Sequence, residues 1–460
     1  MKHIKQYLTS IVPSTIIAFF FGSCNGFIEV DPPKTQIVSA TVFTDDRTAT
    51  SAISGIYATM ISSGSFAAGN SGSITIQAGL SSDEYQNLSS SSISLEFSNN
   101  SLTPTNLTVL SLWSSLYQTI FYANSILEGL NESTLLTTSV KRQLEGEAIF
   151  IRAFSHFYLT NLFSDVPLVT STNYRINSTN TRDSADKVYE QIVSDLIRAS
   201  ALLSEDYMHA SGERVRPNKY TALALLSRVY LFRGQWQEAI TTSSKVIEAT
   251  SLYVLETDLN KVFLMNSQEA IWQLKPVQPQ SNTNEGVTFR SLSFAAVSSS
   301  LNDAFESTDQ RYEQWTTTRS LGTSTFRIPY KYKVGVSGQP LSEYSMVIRL
   351  AELYLIRAEA EAKLSNLDDA ISDLNIIRLR AGLPEKNITT QFEVLDAIAL
   401  ERRVELFSEW GHRWFDLKRT QAVNQVLGLV KEDWQPSDSL YPVPKSERDN
   451  NPNLSQNQGY

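Results

Sequence analysis

The chain is poor in the residues from which many sites are built. It has one cysteine, Cys24, in 460 residues. It therefore offers neither a CxxC zinc pair nor an internal disulfide. Its four histidines are His3, near the start, and the widely separated His156, His209 and His412. Positive charge is in deficit: 39 lysines and arginines face 48 aspartates and glutamates, a formal charge of −9. That balance argues against a nucleic-acid binder, which normally shows a basic patch. No GxSxG elbow, P-loop, GxGxxG or HExxH occurs, so the common hydrolase, nucleotide and zinc-protease signatures are missing. Beyond Phe21 there is no apolar run of ~18 residues, the length a membrane helix needs.

Apolar content is ample, at 42% with 10% aromatic, which excludes global disorder. Length allows about three domains or one large one. At the start, Lys2 and Lys5 precede an apolar run, Ile11 to Phe21, broken only by Pro13, Ser14 and Thr15. This has the shape of a secretory signal. Gly22 and Ser23 then precede the single cysteine, an arrangement that resembles a bacterial lipoprotein signal with Phe21 in the usual place of leucine. Residues 1–23 are the expected leader and Cys24 the expected lipidated residue. The alternative is an ordinary signal peptide followed by an incidental cysteine.

Helical periodicity runs from about 40 to 62 and resumes at 106–130, where Leu110, Trp113, Leu116, Tyr117, Ile120 and Phe121 recur at three- and four-residue steps. Further amphipathic helices are expected at 139–163, 183–204, 391–409 and 412–428. The Ser/Gly-rich stretch 62–103 lacks clear periodicity and reads as loops and short strands. Residues 217–250 and 347–380 can be aligned against each other, with matched residues standing 131 positions apart. Leu226, Ser227, Tyr230, Gly234, Trp236, Ala239 and Val246 meet Arg357, Ala358, Glu361, Ser365, Leu367, Ala370 and Ile377. Small residues at the close approach and a turn at Gly234 or Ser365 make this a tetratricopeptide-like pattern, although the second copy lacks the turn glycine. Between the copies, 251–346 holds strand-like pieces such as Ala270–Leu274. It is too long for a structureless loop and must pack as a subregion on the helices. A Pro-rich strap, 436–460, ends the chain.

Glu409-x-x-His412 has the spacing of half a di-iron site. No second ExxH exists and Gly411 interrupts the helix, so no metal and no cofactor are expected. Glu401, Glu405 and Glu409 share a helical face, with Arg402, Arg403 and Arg413 nearby in sequence. Ion pairs that fix the last helices are their expected role. His156, among Phe154, Phe157, Tyr158 and Leu159, reads as a core histidine.

Taken together and in order, these motifs resemble the SusD/RagB family of outer-membrane nutrient-binding lipoproteins. The similar blocks are Cys24-Asn25-Gly26-Phe27-Ile28-Glu29-Val30-Asp31-Pro32, then Glu147-Ala148 to Arg152-Ala153-Phe154, and Asp165-Val166-Pro167-Leu168. Asp309-x-Arg311, Arg378-x-Arg380-Ala381-Gly382-Leu383-Pro384 and Glu401-Arg402-Arg403-x-Glu405-Leu406 follow. Gly411, Arg413-Trp414 and Asp416-Leu417 complete that last block, and Tyr441-Pro442-Val443-Pro444 leads into the ending at Gly459-Tyr460. The resemblance implies a mainly α fold: about four tetratricopeptide-like hairpins with an irregular, mixed α/β ligand-binding subregion. It implies one domain over 24–460, with scaffold at about 40–62, 104–250 and 347–428 and variable subregions at 63–103 and 251–346. It also implies a lipid-anchored, surface-facing position in the outer membrane. The role would be capture of a glycan and its delivery to a TonB-dependent, SusC-like transporter, without catalysis. A peptide or glycopeptide ligand, a secreted glycoside hydrolase and a pure repeat scaffold are the alternatives.

The variable segments match no motif, so candidate ligand residues come from chemistry alone. Sugar recognition uses flat rings and polar side chains. Those segments offer Asp83, Tyr85, Asn87 and Phe97, then Phe289, Arg290, Tyr312 and Trp315. Tyr312 and Trp315 follow Asp309-x-Arg311 directly, which places a ring of this pair at the surface if Arg311 is held by the scaffold.

Overall fold

The computed structural model describes residues 39–278, 281–291 and 294–460. Cys24, the leader and the similar block at 24–32 lie outside the described residues. Helices of eight or more residues are numbered in chain order. They are α1 Asp46–Met60, α2 Ile74–Ser81, α3 Leu107–Glu132, α4 Thr138–Phe163, α5 Ala185–Leu202 and α6 Lys219–Phe232. Then come α7 Trp236–Ile247, α8 Leu350–Lys363, α9 Leu367–Arg380, α10 Gln391–Glu405 and α11 His412–Arg419. The strands are β1 Tyr85–Asn87, β2 Ala270–Leu274, β3 Ala295–Val297, β4 Thr316–Leu321, β5 Ser324–Pro329 and β6 Ser345–Arg349. Among the described residues they form three antiparallel pairs, β1–β3, β2–β6 and β4–β5. The chain is thus mainly helical, as expected.

The long helices start where short polar side chains can satisfy the free amides of a first turn. Asp45 accepts from Arg47 and Thr48, and Asn106 from Thr108 and Val109. Asn218 and Thr221 form a reciprocal box at the start of α6. Successive helices pack side by side: α3 on α4, α4 on α5, α5 on α6, α6 on α7, α7 on α8 and α8 on α9.

The repeat seen in the sequence is visible bond by bond. At the α6–α7 turn, Gln235 N–H donates to Tyr230 O at 2.9 Å and Gly234 N–H to Leu231 O at 3.2 Å. At the α8–α9 turn, Asn366 donates to Glu361 at 2.9 Å and Ser365 to Ala362 at 3.1 Å. These are the same bonds, shifted by the same 131 positions. Gly234 and Ser365 both have φ of +68°. The missing turn glycine therefore did not change the turn; a serine carries the left-handed conformation that glycine adopts freely.

The core centres on α4, whose 147–160 stretch is buried throughout. Trp272 of β2 meets Phe150 and Phe154 edge-on, each at 5.1 Å between ring centroids. Trp410 meets Phe154 at 5.3 Å and Tyr158 at 5.4 Å. Thus the middle subregion sends its own strand into the scaffold's aromatic core.

Two local expectations need correction. The 62–103 stretch contains α2 and a short helix, Ser92–Ser98, besides the single strand β1. Their periodicity is hard to read because α2 is buried on every side. The expected 391–409 helix ends at Glu405, and the expected 412–428 helix divides into α11 and Val423–Leu427. Ser408, Trp410 and Gly411 all have positive φ, a turn that no helix continues through.

Candidate functional site

The two variable segments meet through backbone pairing. In β1–β3, Tyr85 faces Val297 and Asn87 faces Ala295. Leu88 N–H donates to Phe294 O at 2.9 Å, and Ser298 N–H to Glu84 O at 3.0 Å. The β4–β5 hairpin lies against them, with Ile328 and Phe326 packed on Ala296 and Leu88. Its two-residue loop begins at Gly322, φ +61°, where a tight hairpin turn favours glycine.

A cleft of about 560 Å³ opens beside β1, lined by Asn87, Ser89, Ser90, Ser98, Asn99 and Lys431 among others. Hydroxyls and amides share this wall with the exposed carboxylates of Glu432 and Asp433. Asn87 is half-buried, its Oδ1 accepting from Ser89 N–H at 2.9 Å. The Lys431 ammonium donates to Leu80 O at 2.9 Å and Ser98 O at 2.7 Å. Burial pushes its pKa down to about 8, against the attraction of Asp83. Sequence reasoning missed Lys431, which lies far along the chain from the segment it joins and stands in no motif. A second hollow, of about 690 Å³, is lined by scaffold residues including Phe121 and Glu128. None of its lining residues belongs to a variable segment.

The structure separates the eight candidates into two groups. Asn87, Arg290 and Tyr312 keep partial exposure. Tyr312 donates to Asn302 Oδ1 at 3.0 Å, and the Arg327 guanidinium stacks on its ring at 3.8 Å. Arg290 donates to Lys333 O at 2.5 Å and lies 5.9 Å from the Tyr330 ring. The other five are buried, and of these only Tyr85 lines the cleft, which corrects the reading of Asp83, Phe97, Phe289 and Trp315 as exposed contacts. Trp315 is 0% exposed and its indole N–H donates to Leu259 O at 2.9 Å. Phe97 is 0% exposed and meets Tyr441 edge-on. Tyr85 and Phe289 pack against each other at 5.6 Å. Asp83 is spent on an ion pair, with Arg413 at 2.7 Å and Arg403 at 2.8 Å. Burial works to raise its pKa, but those two guanidiniums outweigh it and hold the carboxyl below its ordinary value.

The Glu401, Glu405 and Glu409 cluster is scaffold. Glu405 is 0% exposed and accepts from Arg311 at 2.8 Å, as well as from Arg349 and Arg380. Burial alone would raise its pKa; Arg380, Arg349 and Arg311 together drive it well below normal. Glu409 pairs with Arg349 at 2.8 Å and with Lys331 at 2.5 Å. Arg402, by contrast, pairs with Asp416 at 2.8 Å. The carboxylate of the ExxH spacing is therefore already committed. His156 is buried with Nδ1 3.0 Å from Arg152 O, while Nε2 accepts from Val169 N–H at 3.3 Å. That acceptance puts its proton on Nδ1. Burial lowers its pKa to about 4.

Comparison with known proteins places this geometry among relatives. A family model described as starch-binding and associating with the outer membrane matches residues 27–231. The SusD family model matches residues 169–460. SusD-like protein P2 of Formosa agariphila is 26% identical, over 76% of this chain and 80% of the relative. A crystal structure of a SusD superfamily protein from Bacteroides vulgatus superposes with a TM-score of 0.79 at 22% identity. It covers 91% of this chain and 100% of that one. A laminarin-binding SusD-like protein superposes with a TM-score of 0.74 at 25% identity, over 91% and 100% of the two chains.

Proposed function

The chain belongs to the SusD family, and from that premise we propose that it is a glycan-binding lipoprotein of the outer membrane. It is anchored through Cys24, faces the cell surface and hands its ligand to a TonB-dependent, SusC-like transporter. It binds without breaking a bond. The observation that carries the reading is the cleft between the first variable segment and residues 430–433, with amide and hydroxyl side chains on its wall. A sugar presents hydroxyls that such side chains can both donate to and accept from. Loops on a rigid scaffold are where binding contacts are usually placed, and the helical hairpins leave a broad surface for a large partner.

The test is affinity electrophoresis against a panel of polysaccharides, with Asn87→Ala and Ser90→Ala as cleft variants. Retardation by at least one polymer, weakened about tenfold by the paired substitution, is the expected result. A protein retarded by none, or one whose retardation ignores both substitutions, contradicts the assignment of this cleft.

A further inference from the structure

Beside the cleft, across the β4–β5 hairpin, two cations gather near one ring and a third reaches the backbone of one of them. Arg319 of β4 stands opposite Phe326, and Phe326 packs on the same small cluster as Leu88, which lines the cleft. Arg319 Nη2 reaches Arg290 O at 3.5 Å, and Arg290 Nη1 donates to Lys333 O at 2.5 Å. The half-buried Tyr330 ring has Arg290 at 5.9 Å and Lys333 Nζ at 5.1 Å from its centroid. Arg319 is exposed, and Arg290 and Lys333 are partly so.

The described partners of these three side chains are neutral: backbone carbonyls and Asn260 Oδ1. Two carboxylates face the group from neighbouring elements. Glu343 turns inward, accepting from the N–H of Lys333 at 2.6 Å and of Val334 at 3.2 Å. Asp258 stands behind Asn260, which donates to it at 3.0 Å. Neither touches the three cations, although Glu343 attracts Lys333 and Arg290 through space and Asp258 attracts Lys333. Arg327 is on the opposite face of the hairpin, by the alternation of strand side chains, and there it meets Glu313 at 3.7 Å. In a chain with an overall acidic balance, this group of cations has charge left to offer a ligand.

We infer that this face selects glycans bearing anionic groups, carboxylate or sulfate, over their neutral counterparts. The inference rests on the glycan-binding reading above and adds the chemical class of the ligand. Tyr330 offers its ring to the C–H face of a sugar, while Arg290, Arg319 and Lys333 take the charged substituent. Guanidinium suits both oxyanions, because its fork matches two oxygens at once.

The test uses the purified full-length protein in detergent and four polymers. These are polygalacturonate and its carboxyl-reduced product, and a sulfated galactan and its desulfated product. The expected result is at least about tenfold tighter binding of one acidic polymer than of its neutral partner. That advantage should fall when salt rises from about 0.1 M to about 1 M, which shortens the screening length from ~10 Å to ~3 Å. Arg319→Gln, at an exposed position, should remove most of the advantage without moving the melting temperature. Lys333→Gln should do the same independently. The two acidic arms distinguish carboxylate from sulfate. Equal or tighter binding of the neutral polymers overturns the inference and leaves glycan binding intact. Acidic preference that survives both substitutions also overturns this site. Failure to bind these four polymers or any neutral glycan overturns the inference and the functional reading together.

Discussion

Arg413 donates from Nε to Oδ1 of Asp83 at 2.7 Å, across 330 positions of chain. Arg403 reaches the other oxygen at 2.8 Å. This contact fastens the first variable segment to the C-terminal helices. Asp83→Ala leaves two half-buried guanidiniums without their counter-charge and should cost about 3 kcal/mol. Thermal denaturation checks it: the melting temperature falls while affinity per folded molecule holds. Lost affinity at an unchanged melting temperature would return Asp83 to the binding surface.

Glu405 accepts from three arginines that lie on different elements: Arg311, Arg349 and Arg380. Removing it strands that charge in the interior, so Glu405→Ala should destabilise by ~3–5 kcal/mol. Urea denaturation measures the loss. A midpoint that does not move would mean the network contributes nothing to holding α10.

Trp315 fills the core of the middle subregion between Phe263 and Lys331. Trp315→Ala should cost ~3–5 kcal/mol, as other large-to-small core changes do. Its emission in the native protein should be blue-shifted and indifferent to glycan. A solvent-like emission that glycan perturbs would contradict the burial.

His156 and His412 are both buried, and burial depresses each to about 4. A depressed folded-state pKa favours the neutral form, so their contribution is complete above the ordinary histidine value of about 6.5. It is lost as pH falls from there through about 4. Melting temperature should therefore decline over that window, and His156→Asn should flatten part of the decline. A flat profile down to about pH 4 would contradict it.

The scaffold was legible because its signals are local. Small residues at Ser227 and Ala358, and the turns at Gly234 and Ser365, each act within one hairpin, so a shift of 131 exposes the repeat. The variable segments were less legible because their burial is decided by distant partners. Nothing near Asp83 announces Arg413, and nothing near Trp315 announces Leu259. Asn87 could be placed from its segment alone, since it caps its own turn through Ser89. Lys431 could not, because its carbonyl partners, Leu80 and Ser98, belong to a segment read as loops and short strands.

The central claim is that the two variable segments form the glycan-binding face. Hydrogen–deuterium exchange, with and without the tightest-binding polymer of a polysaccharide panel, tests it most directly. The account predicts slowed exchange in residues 86–99 and 316–335, and none at the hairpin turns 233–235 and 364–366. Protection at those turns with unchanged exchange in both variable segments would contradict it.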